Sequence, residues 1–117
     1  MATHTIGTLQ RRQYHASSHS STTAGALAVA TRGKLVEVWI APKINQTATA
    51  GSWTVSKNGT QITGLSSVAL TTRAVGESSG TLSAAPSANT YVARGDILSV
   101  VGSSVVASNW TFVVQEF

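Results

Sequence analysis

The sequence contains no cysteine, and this absence excludes disulfide bonds, cysteine-ligated zinc sites and a cysteine nucleophile. Charged residues make up only 10% of the chain, whereas a typical soluble domain carries about 25%. No run reaches the roughly 18 consecutive apolar residues of a membrane-spanning helix, and the first residues lack the apolar segment of a secretory signal. We therefore expect a single domain of 117 residues, without a membrane partner, that is stabilised by core packing with or without oligomerisation.

The excess positive charge of the chain is confined to its first third. The net charge is +4, and no acidic residue precedes Glu37, whereas the four later cations are balanced by the four carboxylates. An asymmetry of this kind indicates an acidic partner, either a protein or a nucleic acid. The candidate partner-binding residues are the cations of this region and two of their neighbours, namely Arg11, Arg12, Tyr14, His15, Arg32 and Lys34.

From Ala24 onward the chain consists of short β-type segments separated by turn residues. Strands are predicted at 25–31, 34–41, 53–57, 61–63 and 67–72, near Leu82, and at 90–93, 97–101 and 109–117. Asn58 and Gly59 tolerate the positive φ that both central residues of a type I′ turn need, so they predict a β-hairpin. No window has a sustained helical periodicity. The pattern favours an all-β fold, a jelly-roll-like antiparallel β-sandwich of about eight strands.

The segment 34–41 is the clearest of these strands, because apolar side chains dominate it. Strict alternation places Val36, Val38 and Ile40 together on one face. The same alternation predicts that Leu35 faces the other way.

Residues 1–23 are polar and irregular, apart from a weak alternation at 6–9, and they hold all three histidines of the chain. A segment this polar cannot bury enough apolar surface to offset the entropy that is lost on ordering. We therefore expect an extended N-terminal arm over residues 1–23 and a β-sandwich domain over residues 24–117. The arm is expected to be mobile in isolation or ordered against a neighbouring protein.

No arrangement of residues suited to catalysis is visible in the sequence. The carboxylates form no spaced pair of the kind that hydrolysis uses, and neither a Gly-x-Ser-x-Gly elbow nor a phosphate-binding loop occurs. His15 and His19 would share one face of a helix, but the segment has poor helix formers and no acidic third ligand. Three copies of one histidine on the axis of a trimer are the alternative metal site. We predict that the chain is not an enzyme and has no cofactor and no metal site.

Two short motifs have a functional and a structural interpretation. Arg94-Gly95-Asp96 matches an integrin-binding tripeptide, but its position just before an apolar strand favours a turn. Arg11, Arg12 and Tyr14 combine charge with an aromatic ring, as single-stranded nucleic-acid binders do. Most of the other aromatic residues lie on predicted strands in apolar alternation, which favours packing. Nucleic-acid binding is therefore the weakest of the functional hypotheses.

The portion from Lys34 to Phe117 is similar to the small jelly-roll domains of tailed-bacteriophage virions. The segments that carry the resemblance are KLVEVWIAP, WTVSKNGTQI, NTYVARGDILSV and the closing strand NWTFVVQEF. Such domains occur as head decoration (cement) proteins and as terminal modules of fibres. The resemblance implies a virion structural protein, made in the bacterial cytoplasm and often trimeric, that binds the major capsid protein on the capsid exterior. The N-terminal arm has no counterpart in that pattern.

Two roles within the virion remain open from the sequence. As a decoration protein, the chain would form a homotrimer and lay its arm on neighbouring capsid subunits, where Arg11 and Arg12 would meet acidic groups. As a fibre-tip module, it would bind a receptor or glycan through exposed tryptophan and tyrosine side chains. The candidate loops for that second role are residues 41–53 and 74–90.

Overall fold

The computed structural model describes residues 10–17, 25–47, 49–70, 72–75, 82–88 and 91–116. These residues form ten β-strands and no helix, so none of them lies in a helix that could cross a membrane. In chain order the strands are β1 (Arg11–Ser17), β2 (Gly25–Ala28), β3 (Gly33–Pro42), β4 (Gly51–Lys57), β5 (Thr60–Gln61), β6 (Val68–Leu70), β7 (Leu82–Ala84), β8 (Tyr91–Val92), β9 (Ile97–Ser103) and β10 (Ser108–Glu116).

The described strands form two antiparallel sheets of five strands each. In sheet 1 the order is β1-β10-β3-β7, and β8 also pairs with β3; in sheet 2 the order is β2-β9-β4-β5, and β6 also pairs with β4. Trp53 of sheet 2 contacts Trp110 of sheet 1, so the sheets meet across one core. This arrangement confirms the predicted all-β fold and is compatible with a β-sandwich, while the jelly-roll connectivity stays a prediction.

Side chains that alternate along the strands of both sheets fill the core. The rings of Trp53 and Trp110 meet edge to face, with centroids 5.0 Å apart and an interplanar angle of 87°. Trp110 also stacks on Phe112 at 6.1 Å, and such pairs add to the stabilisation from burial. The fully buried aliphatic side chains of the same core are Val29, Leu35, Val38, Ile40, Val55, Ile62, Leu65, Leu70, Leu98, Val100 and Val114. The intervening side chains point to the outer faces, where folding constrains them less.

The β4–β5 hairpin turns at Asn58 and Gly59. Their φ angles are 51° and 85°, and positive values at both central residues are what a type I′ turn requires. The hairpin prediction is therefore confirmed. The predicted short strand near Leu82 is β7, and the other predicted strands match observed ones to within a few residues.

A β-bulge in β3 changes which of its residues face the core. The register between β10 and β3 skips Val36, which is half-buried. Leu35 is fully buried together with Val38 and Ile40. The prediction that Leu35 faces away from these two residues was wrong, because one inserted residue shifts the alternation of everything before it.

Strand β1 lies inside the range that the sequence predicted as an extended arm. Residues 11–17 pair with β10 along their whole length, and the side chains of Tyr14 and Ala16 pack against the core. Within residues 1–23, the described part is thus an edge strand of sheet 1, because its alternate side chains do find apolar partners. The alternation predicted at 6–9 lies outside the described residues, and the domain boundary at residue 23 stays a prediction.

Candidate interaction surfaces

One end of sheet 1 collects most of the predicted partner-binding residues. The register places Arg11 beside Gln115, and Gln115 beside Lys34 on the next strand. Arg12 follows Arg11 on β1, and Arg32 directly precedes β3. We call the region formed by Arg11, Arg12, Arg32 and Lys34 the basic end.

Two of these arginines already have carboxylate partners within the chain. The Arg11 guanidinium lies 3.5 Å from the Glu37 carboxylate, and Arg11 Nε donates to Gln115 Oε1 at 3.2 Å. Arg12 Nε lies 3.3 Å from Glu116 Oε2. Both ion pairs are partly exposed, so each stabilises the fold by about 1 kcal/mol at most. A partner that binds Arg11 or Arg12 would compete with these internal pairs.

Tyr14 and His15 point to opposite faces of β1. Tyr14 is half-buried, and its hydroxyl forms a hydrogen bond of 2.7 Å with Thr31 Oγ1, which ties β1 to the loop before β3. His15 is exposed, and its Nδ1 forms a hydrogen bond of 3.0 Å with Thr111 Oγ1. Of the two, only His15 has a side chain on the outer face of sheet 1.

A cleft of about 560 Å³ opens at the basic end. Its lining residues are Thr31, Arg32, Ala93, Arg94 and Glu116. Arg94 joins Arg32 there because β8 pairs with the start of β3, where Gly33 lies opposite Val92. The sequence assigned Arg94 to a turn, and no local pattern links it to Arg32, so its place in the cleft emerges only from strand pairing.

The turn that carries Arg94 is closed by Asp96. The Asp96 N–H donates to Ala93 O at 3.1 Å, the Ala93 N–H donates to the Asp96 carboxylate at 2.8 Å, and Gly95 between them has a φ of 88°. Asn58 Nδ2 donates to the other carboxylate oxygen at 3.0 Å. The Asn58 hydrogen bond first, and then that from Ala93, hold the pKa of Asp96 below its ordinary value. The tripeptide 94–96 therefore forms the predicted turn, with its carboxylate held by hydrogen bonds within the chain.

The outer face of sheet 2 has no charged side chain among the described residues. Its outward positions are Ala26, Ala28, Ser52, Thr54, Ser56, Gln61, Ala69, Ile97, Ser99, Val101 and Ser103. Ile97 and Val101 are 41% and 47% exposed. The sequence signal that could have revealed this face is β9 itself, because a strand that is apolar on both faces indicates a second contact.

The aromatic side chains divide into buried and exposed groups. Trp53 and Trp110 are buried, whereas Trp39 on β3 is 40% exposed and Tyr91 on β8 is 60% exposed. Both exposed rings lie on the outer face of sheet 1. The loops 41–53 and 74–90 proposed for sugar stacking therefore present no exposed aromatic ring, since Trp53 is the one aromatic residue in either range.

The surfaces of this all-β domain are thus a basic end with a cleft, an aromatic outer face on sheet 1 and an uncharged outer face on sheet 2. Within the described ranges, no group of three His, Cys, Asp or Glu side chains is placed to hold a metal ion; His4 and His19 lie outside those ranges. Comparison with known protein families, characterised proteins and solved structures finds no match to this chain.

Proposed function

We propose that this chain is a non-enzymatic structural protein of a tailed-bacteriophage virion, which binds the major capsid protein on the capsid exterior as a homotrimer. The observation that carries the proposal is the uncharged outer face of sheet 2, with Ile97 and Val101 exposed at its centre strand β9. The resemblance of residues 34–117 to virion jelly-roll domains supports the same role.

A charged face and an uncharged face differ in the free energy that is needed to cover them. Burial of a charged side chain requires its desolvation, which costs several kcal/mol unless a partner compensates. A face of small, hydroxyl-bearing and aliphatic side chains avoids that cost and gains about 25 cal/mol for each Å² of apolar surface removed from water. The face of sheet 2 is therefore suited to a broad protein contact, either between copies of the chain or with the capsid.

The proposed role of the N-terminal region changes in one respect. The paired strand β1 fixes residues 11–17 to the domain, so these residues do not form part of an arm that reaches neighbouring subunits. Arg11 and Arg12, which are ion-paired within the chain, would then support the contact from the edge of sheet 1.

The first test is the number of copies in purified particles, measured by quantitative mass spectrometry against the major capsid protein. A copy number close to that of the capsid protein supports decoration of the whole shell. A far lower number supports a vertex or tail location, and absence from the particle overturns the proposal.

The second test adds a charge to the uncharged face. Val101→Lys should weaken binding to particles that lack the protein by at least about tenfold, because the added ammonium would be buried without a partner. The matched control is Ala41→Lys, which adds the same charge at an exposed position on the outer face of sheet 1. Equal binding by both variants would exclude sheet 2 as the contact surface.

The fibre-tip alternative is favoured by a different observation, the exposed rings of Trp39 and Tyr91 on sheet 1. Aromatic rings flanked by polar side chains can stack on sugars. Trp39→Ala should then reduce host adsorption while leaving particle stability unchanged, and normal adsorption by that variant would remove the alternative.

A further inference from the structure

The cleft at the basic end is built on backbone that is fixed from both sides. The Val29 N–H donates to Asp96 O, and the Gly95 N–H donates to Val29 O, both at 2.8 Å. On the other side, Gly33 pairs with Val92. Arg32 and Arg94 each lie between two of these anchors, so their Cα positions are held together although they are far apart in the sequence.

Two carboxylates of the described residues lie at the cleft or in its adjoining turn, and both are already engaged. Glu116, which lines the cleft, is ion-paired with Arg12. Asp96, in the same turn as Arg94, accepts hydrogen bonds from Asn58 and from the Ala93 N–H.

Arg11 and Arg12 have carboxylate partners, whereas the guanidinium groups of Arg32 and Arg94 do not have one among the described residues. Neither forms a hydrogen bond or an ion pair with any residue in the described part of the chain, and both residues are exposed. Two open guanidinium forks therefore line one cleft, and neither is paired with a carboxylate of the residues that the structure describes.

Paired guanidinium forks match the planar carboxylate, which accepts two parallel hydrogen bonds from each fork. The cleft also offers the Thr31 side chain and the small apolar Ala93, which suit a short peptide segment beside the carboxylate. A nucleic-acid strand would need a longer track of free cations, whereas Arg11 and Arg12 are already paired along the same edge.

We infer that the cleft between Arg32 and Arg94 binds an acidic peptide segment, whose Asp or Glu carboxylates both guanidinium groups engage. The inference rests on the proposed function in one respect, because it names the chemistry by which the capsid protein would be recognised. An acidic segment bound in this cleft would form a specific and oriented contact that is separate from the uncharged face of sheet 2.

The test measures binding of a fluorescently labelled hexaglutamate peptide to the full chain by polarisation at physiological salt. Arg32→Gln and Arg94→Gln should each weaken binding about tenfold, the loss expected for one charge-assisted contact. Arg32→Lys and Arg94→Lys should lie between wild type and the glutamine variants, because lysine keeps the charge but not the fork.

The matched control is Lys43→Gln, which removes the same charge at the opposite end of β3. A ten-residue strand spans about 33 Å, well beyond the screening length of about 8 Å at this salt, so the control should change binding less than about twofold. An equal loss in Lys43→Gln would mean diffuse attraction by the net charge and would overturn the inference.

Two further probes separate the sources of the anion. Competition by inorganic phosphate as effective as that by the peptide would assign the cleft to a free anion, and tighter binding of a ten-nucleotide oligo-dT through the same arginines would assign it to nucleic acid. Either result overturns the inference. If the glutamine variants bind the peptide like wild type while the protein still decorates particles, the inference fails and the proposed function stands.

Discussion

The two sheets share one core, yet their outer faces differ in chemistry. Sheet 1 presents charged residues of both signs and the exposed rings of Trp39 and Tyr91, whereas the described part of sheet 2 presents only uncharged side chains, with Ile97 and Val101 exposed. Folding constrains the inner positions of both sheets alike, because both must fill the same core. Folding does not require the difference between the outer faces, so we expect the two faces to serve separate contacts, as proposed.

The few charged residues of the described chain are unevenly divided between the two outer faces. Some cations of sheet 1 are neutralised by carboxylates of the same sheet, as in the pair of Arg11 with Glu37. The described residues on the outer face of sheet 2 carry no charge at all. Contact through that face would need little desolvation, whereas contact through Arg11 or Arg12 of sheet 1 must replace existing pairs. Four predictions test, through the stability of variants, whether the core and the outer residues of the two sheets contribute to folding as differently as their burial and charge indicate.

The largest expected effect is the difference in the free energy of unfolding between truncation of a core tryptophan and truncation of an exposed tryptophan on sheet 1. Trp110→Ala should lower the free energy of unfolding by about 3–5 kcal/mol, because it opens a cavity against Trp53 and Phe112. Trp39→Ala, the same change at an exposed ring, should cost less than about 1 kcal/mol. Urea denaturation of both variants measures the difference.

A second core variant keeps this prediction testable if Trp110→Ala fails to fold. Trp110→Phe retains a ring and removes an indole N–H that is buried without a partner in the described part of the chain, so it should cost less than the alanine variant. Trp110→Phe still leaves part of the core unfilled, so it should cost more than Trp39→Phe, and equal losses for these two variants would break the distinction between exposed and core tryptophans.

The next effect compares two glycines that are needed for different reasons, one in strand β3 of sheet 1 and one in the β4–β5 turn beside sheet 2. A Cβ at Gly33 in sheet 1 would collide with the backbone carbonyl of Gln115, whereas a Cβ at Gly59 would meet nothing within 4 Å, but the residue has a φ of 85°. Gly33→Ala should therefore cost about 1–3 kcal/mol through overpacking. Gly59→Ala should cost about 1–2 kcal/mol through left-handed backbone strain.

Asparagine distinguishes these two causes, because it tolerates positive φ but still carries a Cβ. Gly59→Asn should recover most of the stability that Gly59→Ala loses, as judged by thermal melting. Gly33→Asn should be at least as unstable as Gly33→Ala, and recovery at Gly33 would show that space is not the constraint there.

The sequence predicts the strands that obey simple rules and misses those that depend on pairing. Asn58-Gly59 specifies its turn by local backbone preference, so the hairpin was predictable. The bulge at Val36 was not, because β3 has apolar residues on both faces and an inserted apolar residue leaves no clear break in the pattern. The sequence predicts an arm where strand β1 lies, because Tyr14 and Ala16 give only a short alternation and their apolar partners come from β10 at the other end of the chain.

The residues of the candidate site were also only partly predictable from the sequence. Charge counting singled out Arg11, Arg12, Arg32 and Lys34, and the register does bring these residues to one end of sheet 1. Which of them lack internal partners depends on the positions of Glu37 and Glu116, and the contribution of Arg94 depends on the pairing of β8. Neither follows from composition or spacing.

A third prediction concerns the turn next to the cleft, where Asp96 is held by Asn58. Its lowered pKa means that Asp96 stabilises the fold at pH values well above 3.8, its ordinary value, and that this contribution disappears as the pH falls through the lowered pKa. Asp96→Asn should cost about 1 kcal/mol at neutral pH through its weakened hydrogen bonds. The difference from wild type should shrink on acidification.

Urea denaturation across the acidic range measures this difference at each pH. Asn58→Gly serves as the second variant, since it permits the positive φ but removes the amide that donates to Asp96. It should flatten the same part of the pH profile. A constant difference between wild type and Asp96→Asn at every pH would show that the carboxylate charge is not stabilised by this turn.

The smallest expected effect tests whether the ion pairs of sheet 1 contribute to folding at all. A double-mutant cycle of Arg12→Gln and Glu116→Gln should give a coupling energy of about 0.2–1 kcal/mol, because the pair is partly exposed, and the coupling should fall in high salt. The pair of Arg11 with Glu37, which is longer at 3.5 Å and more exposed, should give a smaller value still.

Coupling energies this small would mean that the charges of sheet 1 are retained for contacts with a partner, since the fold hardly needs them. A coupling well above 1 kcal/mol that persists in high salt would instead make the pairs part of the folding energetics, and the contrast between the two faces would then reflect stability as much as binding.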